Sequence, residues 1–161
     1  MTLAVAALLT SVVGFVAPAQ GMTIGDQGCT PGYWKNHTDN WTERPLVYIS
    51  PDMLLTYQYG GHLGFVVTPE LANDTFINAL NYKGGAGTLG AEQILMRAAS
   101  AAWLNAATEE LGYPLRRWTT TASGPPIVTS VNAAFASNDR ATMLALATTL
   151  DNDNSLGCTL S

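Results

Sequence analysis

The chain has 161 residues, about one domain's length, with only 12% charged residues and a net charge of −5. Ordinary soluble domains carry about 25% charged residues. Seven Lys and Arg against twelve Asp and Glu disfavour a nucleic-acid reader, because phosphate neutralisation needs a basic face, and disfavour an anionic membrane surface for the same reason.

The chain opens with a leader, residues 1–19. Leu3 to Val16 is an apolar run broken only by Thr10, Ser11 and Gly14, and Ala17-Pro18-Ala19 follows as a small-x-small cleavage pattern. The run is shorter than the ~20 apolar residues that a membrane-crossing helix needs. It reads as a secretory signal peptide, with 20–161 as a single extracellular α-helical domain. No Lys or Arg precedes the run, which leaves a second reading, a retained apolar tail that serves assembly. No second apolar span follows, so no transmembrane span is expected. About 44% of the residues after the leader are apolar, which fits a globular domain.

Residues 20–32 are rich in Gly and form an extended opening segment. It contains Cys29, and the other cysteine is Cys158, three residues from the end. In an exported protein two thiols pair. The bridge would close a loop of about 130 residues and tie the ends of the domain together, with an entropic ceiling of ~5 kcal/mol. Two cysteines without flanking histidines do not make a zinc site.

Tyr33 to Trp41 is polar and aromatic, with room for one helical turn. Pro45 to Ile49 fits a short strand or an extended loop. Ser50-Pro51-Asp52 is a helix-start signature and predicts a helix to about Tyr57, stopped by Gly60-Gly61. Thr68-Pro69-Glu70 repeats the signature and predicts a helix over 69–82, with Asn73-Asp74-Thr75 as a potential break. Residues 83–90 hold four glycines and read as a loop.

Ala91 to Leu111 is the strongest helix in the sequence, ended by Gly112 and Pro114. Ala91, Ile94, Leu95, Ala98, Ala101, Ala102 and Ala106 fall on one stripe. So many alanines imply close approach of a neighbouring helix. Asn105 lies within that stripe and, once buried, needs hydrogen-bond partners. Met96 and Trp103 lie on the far side, so this helix is expected to be contacted on two faces and to be central. Residues 116–126 form a Thr-, Gly- and Pro-rich connection, with Arg116-Arg117-Trp118 as a small solvated basic spot. Val128, Val131 and Phe135 mark a helix over 126–136. Ser137-Asn138-Asp139 caps another, to about Leu150, with a stripe of Met143, Leu146, Ala147 and Leu150. The fold expected is mostly α: a single compact helical domain with an irregular N-terminal third, closed by an end-to-end disulfide.

The densest chemical pattern is Cys29-Thr30-Pro31-Gly32-Tyr33-Trp34-Lys35-Asn36-His37. As a ligand site, it would stack a sugar ring on Trp34 or Trp41 and hydrogen-bond it through Asn36 and Asp39, with Tyr33 and His37 at its edge. The blander and favoured reading has Tyr33 and Trp34 plugging the core while Lys35, Asn36 and His37 bond loop backbone. This nonapeptide resembles the signature of a poorly characterised family of exported bacterial and archaeal surface proteins. The resemblance extends loosely to Trp41, the Gly84–Gly90 loop, the Ala91–Ala107 helix and the terminal Gly157-Cys158, with Thr159 where that family usually has Pro. It implies extracellular placement, the end-to-end disulfide and attachment to a larger surface structure, and it carries no activity.

No Gly-x-Ser-x-Gly elbow, His-Glu-x-x-His or phosphate loop occurs, and His37 and His62 are the two histidines. His37, Asp39 and Glu43 have a spacing that suits no regular element. Asp151 to Ser155 begins like a calcium loop but has Leu156 where Gly is needed and no acid twelve positions on. No catalytic residue, metal or cofactor is expected. Asn36, Asn40 and Asn73 stand in Asn-x-Thr sequons and are candidate glycosylation sites, with Asn40 and Asn73 the better acceptors. The functional expectation is a non-catalytic extracellular structural or adhesive surface protein, up to the subunit of a polymeric assembly, whose partners are copies of itself or cell-surface components and glycans. The alternative is a secreted carbohydrate-binding module using Tyr33, Trp34, Trp41, Tyr57 and Tyr59. A small secreted hydrolase ranks third.

Overall fold

The computed structural model describes residues 26–43 and 47–160. The leader, with both its signal-peptide and apolar-tail readings, lies outside the described residues. Five α-helices carry the architecture: α1 (Pro31–Asn36), α2 (Phe76–Leu80), α3 (Gly87–Ala107), α4 (Ile127–Ala136) and α5 (Arg140–Asn154). Helix α3 is the axis. Fifteen of its 21 residues are buried, including every residue from Ala98 to Ala107. That leaves no solvent face over its second half, so the helix is wrapped rather than docked, as Met96 and Trp103 predict. Helices α1, α2, α4 and α5 all pack on it, α5 most extensively. Alanine both favours the helix and keeps its surface low.

The helix begins at Gly87, four residues earlier than expected. Composition misleads there because the first turn is held from outside: the Arg140 guanidinium of α5 donates to the carbonyls of Gly85 and Gly87. After Ala107 the chain tightens into a 3-10 turn, Glu109–Leu111, and Gly112 ends it.

The helix expected from Ser50 to Tyr57 does not form. Ser50 Oγ accepts from the Asp52 amide at 3.3 Å and the Ser50 carbonyl accepts from Met53 at 3.0 Å, giving one isolated turn. Leu54 then bridges Thr75, and a second turn is closed by the Tyr57 amide on the Leu54 carbonyl at 3.0 Å. The Leu55 amide donates to Asp74, and the Leu55 carbonyl accepts from Phe65. A cap signature starts a helix only where an apolar stripe can follow it. Met53-Leu54-Leu55 offers no such stripe, and burial of Leu55 and Phe65 favours pairing of the two segments over a helix. The 69–82 segment breaks where Asn73-Asp74-Thr75 allows. A 3-10 turn spans Pro69–Leu71, and α2 starts after Thr75, whose hydroxyl accepts from the Asn78 amide while the Asn78 side chain accepts from the Thr75 amide. Thr42–Glu43 (β1) and Val47–Tyr48 (β2) form a minimal antiparallel pair.

Helix α4 buries Ile127, Val128, Val131 and Ala134, with Phe135 half-buried. Helix α5 is capped by the Asp139 carboxylate, which accepts from the Thr142 hydroxyl and from the Thr142 and Ala141 amides; these bonds hold that exposed carboxyl below the usual carboxylate range. It runs four residues beyond Leu150 to Asn154, which is fully buried.

The two ends meet. Gly28 and Gly157 form an antiparallel bridge, the Gly28 amide donating to the Gly157 carbonyl at 3.0 Å. Beside it Cys29 and Cys158 are disulfide-bonded with their Cα atoms 4.6 Å apart. The domain is therefore mostly α and closed end to end, as expected. Gly28 is forced by contact: a Cβ there would stand 2.1 Å from the Asp153 carbonyl oxygen. Gly28→Ala is expected to push α5 away and cost about 1–3 kcal/mol, read as a lowered urea midpoint. No helix among the described residues is long and apolar enough to cross a membrane.

Candidate functional site

The signature segment folds inward. Thr30 caps α1 by accepting from the Tyr33 amide at 3.2 Å, and Pro31 occupies the first helical position, where no amide is needed. The short helix aims Trp34 at α3. There its indole donates to Asn105 Oδ1 at 2.9 Å, and Trp41 donates to the Trp34 carbonyl at 2.9 Å. Asn105 also accepts from the Cys29 amide at 2.8 Å and donates to the Cys29 carbonyl and to Asn154 Oδ1, both at 2.9 Å. Asn154 in turn donates to the Ala98 carbonyl and accepts from the Tyr113 hydroxyl, both at 3.0 Å. Burial pushes the Tyr113 phenol up, so the hydroxyl stays a donor. Asn105 thus makes four hydrogen bonds and fills its capacity.

This arrangement overturns the sugar-stacking expectation for Trp34 and Trp41. Both rings are buried and neither offers a face to a ligand. Tyr33 is half-buried, edge-on to Trp34 and stacked on His37 at 4.3 Å. Its hydroxyl accepts from the Asn40 amide at 2.6 Å, and His37 Nδ1 lies 2.9 Å from the Tyr33 carbonyl. The segment braces the staple, and Thr30, Lys35 and Asn36 are its exposed polar residues. Of the sequon asparagines, Asn36 and Asn73 are exposed. Asn40 is half-buried, and a glycan there would have to share the nitrogen that reaches Tyr33. Asp151 to Asn154 is the last turn of α5, not a loop. Among the described residues no three His, Cys, Asp or Glu side chains stand together in metal-holding range.

An aromatic surface lies elsewhere. Tyr59 and His62 exchange two backbone hydrogen bonds, 3.1 and 2.7 Å, across a Gly60-Gly61 turn with φ of 54° and 82°. Both glycines take the left-handed conformation that this tight hairpin requires. Tyr59 and His62 stack on Trp118 at 5.5 and 4.5 Å, and Trp118 donates to the Leu63 carbonyl at 3.2 Å. Below, Trp103 meets Trp118 edge-on and Phe76 meets Trp103 at 4.9 Å, so a train of rings connects hairpin to core. Arg117 is not part of a solvated spot. Its guanidinium lies 4.4 Å from the Trp118 ring and 4.8 Å from Trp103, and burial lowers its pKa to about 10. The hairpin signal in the sequence is Gly60-Gly61 between two ring-bearing residues, a pair that also reads as a helix stop.

The same segment exposes Leu54 (42%), Tyr57 (56%), Leu63 (63%) and Val66 (62%). Four large apolar side chains this open fall within 13 residues around one braced hairpin, a segment called the ridge below. Val66 also lines a cleft of about 400 Å³ floored by Glu92, which is buried and accepts from the Thr68 amide at 2.7 Å. A second cleft, of about 450 Å³, lies between α1, the end of α2, Arg97 and Asp151. No family model, curated protein or solved structure matches the chain.

Proposed function

We propose that this chain is an exported surface protein that works by contact, a structural or adhesive module whose contact face is the 54–66 ridge. The observation that carries the reading is the cluster of Leu54, Tyr57, Leu63 and Val66 on a hairpin clamped to Trp118. Apolar side chains on a rigid support lose little entropy when covered, which favours association. The low charge density leaves few like-charge repulsions to oppose packing of copies. The disulfide is the kind of bond that persists in an oxidising, extracellular setting.

A reading in which surface rings stack a glycan is less well supported, because Tyr59 and His62 each stack on Trp118 and Tyr57 alone among the tyrosines of that reading is widely exposed. The test is the size of the native species by light scattering without reductant. A large species, reduced to monomer by the Leu63→Asp/Val66→Asp double variant, is the expected result. A monomer at every concentration, or an assembly indifferent to the double variant, overturns the ridge as the contact face.

A further inference from the structure

The cleft beside α1 has a charge pattern unlike the rest of the molecule. Lys35, Lys83 and Arg97, three of the chain's seven cations, line it, in a protein whose net charge is −5. Lys35 comes from α1, Lys83 from the turn after α2, and Arg97 from the middle of α3, so three separate elements converge on one space. Among the described residues none of the three lies within ion-pairing distance of a carboxylate. Arg97 is half-buried, and its long hydrogen bond to the Tyr82 carbonyl, 3.4 Å, leaves most of its donors unused. A partly desolvated guanidinium with two flexible ammonium groups is carboxylate- and sulfate-binding chemistry.

Asp151 of α5 shares the wall. Burial raises its carboxyl, and Arg97 and a hydrogen bond from Asn154 oppose that rise. A carboxylate in the wall repels a bare anion but accepts hydrogen bonds from hydroxyls. Three cations with one carboxylate, and the Asn81 amide beside them, therefore suit a ligand that is both anionic and rich in hydroxyl donors. A volume of about 450 Å³ falls within the range of small-molecule pockets. We propose that this cleft binds an acidic sugar, a uronate residue of an extracellular polysaccharide, with its carboxylate on Arg97, Lys35 and Lys83 and its ring hydroxyls donating to Asp151. The site is separate from the apolar ridge and does not depend on assembly.

The test is calorimetric titration of the full chain at fixed ionic strength with trigalacturonate, a neutral galactose trimer and inorganic sulfate. Trigalacturonate should bind and the neutral trimer should not. Lys35→Gln/Lys83→Gln, both on exposed side chains, should weaken trigalacturonate about tenfold or more, and Arg97→Gln should weaken it similarly. Asp151→Asn should weaken trigalacturonate while tightening sulfate. Leu63→Asp/Val66→Asp should leave the affinity unchanged, which separates this proposal from the contact-face reading. Absence of trigalacturonate binding overturns the proposal, as does equal binding of the neutral trimer or indifference to the double Lys variant. If Asp151→Asn tightens both anions alike, the cleft is a site for bare anions and the sugar assignment fails.

Discussion

Asn105→Ala is expected to destabilise the domain by about 4 kcal/mol, against a total of ~5–15 kcal/mol for a domain of this kind. The change strands three buried groups at once: the Cys29 amide, the Cys29 carbonyl and the Trp34 indole N–H. Each costs about 1–3 kcal/mol when left without a partner, and the space vacated by the amide lets water recover part of the sum. Asn154 retains Tyr113 and Ala98, so the damage concentrates at the staple and α1. Ser100→Ala supplies the contrast. The Ser100 hydroxyl is buried in the same helix without a hydrogen-bond partner, so its removal should be neutral or stabilising. Urea unfolding followed by tryptophan fluorescence measures both. If the two variants unfold at the same midpoint, Asn105 is not the keystone described.

Opening the Cys29–Cys158 bridge is expected to cost about 2–5 kcal/mol. The bridge closes a separation of 129 residues, nearly the whole described chain, so its loss frees a large ensemble in the unfolded state. One half-cystine is buried and the other, Cys158, is exposed. A thiolate reductant can therefore reach the bond without prior unfolding. Mild reductant alone should lower the urea midpoint, and the Cys29→Ser/Cys158→Ser double variant should match the reduced protein. A midpoint that ignores reduction would show that the Gly28–Gly157 pairing and the Asn105 cluster hold the ends without help.

The helical body was legible because it obeys local rules. The Ala91–Ala106 stripe, Met96 and Trp103 on its far side, and the Asp139 cap each carry a period or a cap that the structure uses as written. The demand that Asn105 find partners was also legible, although the identity of those partners was not, since they come from residues 29, 34 and 154. Segment 50–66 was the failure. Its cap at Ser50 and stop at Gly60-Gly61 matched a helix, while the deciding contacts, Leu55 to Asp74 and Trp118 to Leu63, span 19 and 55 positions. The candidate sites failed for a related reason. Aromatic density after Cys29 marked structural importance, because rings beside a staple fill the core, and the surface rings and the cationic cleft were assembled from residues far apart in sequence.

The closure of the ends has a mechanical consequence. The chain enters at Gly28 and leaves at Thr159 on either side of one covalent bridge, with the Cα atoms of Cys29 and Cys158 4.6 Å apart. Tension applied between the two termini passes through the sulfur–sulfur bond and bypasses the helices. With the bridge closed, pulling cannot lengthen the domain, whatever the strength of its packing. With the bridge reduced, the same pull falls on the Gly28–Gly157 pairing and the Asn105 cluster, and more than a hundred residues become extensible. The redox state of one bond thus decides whether this domain behaves under load as a rigid link or as a spring.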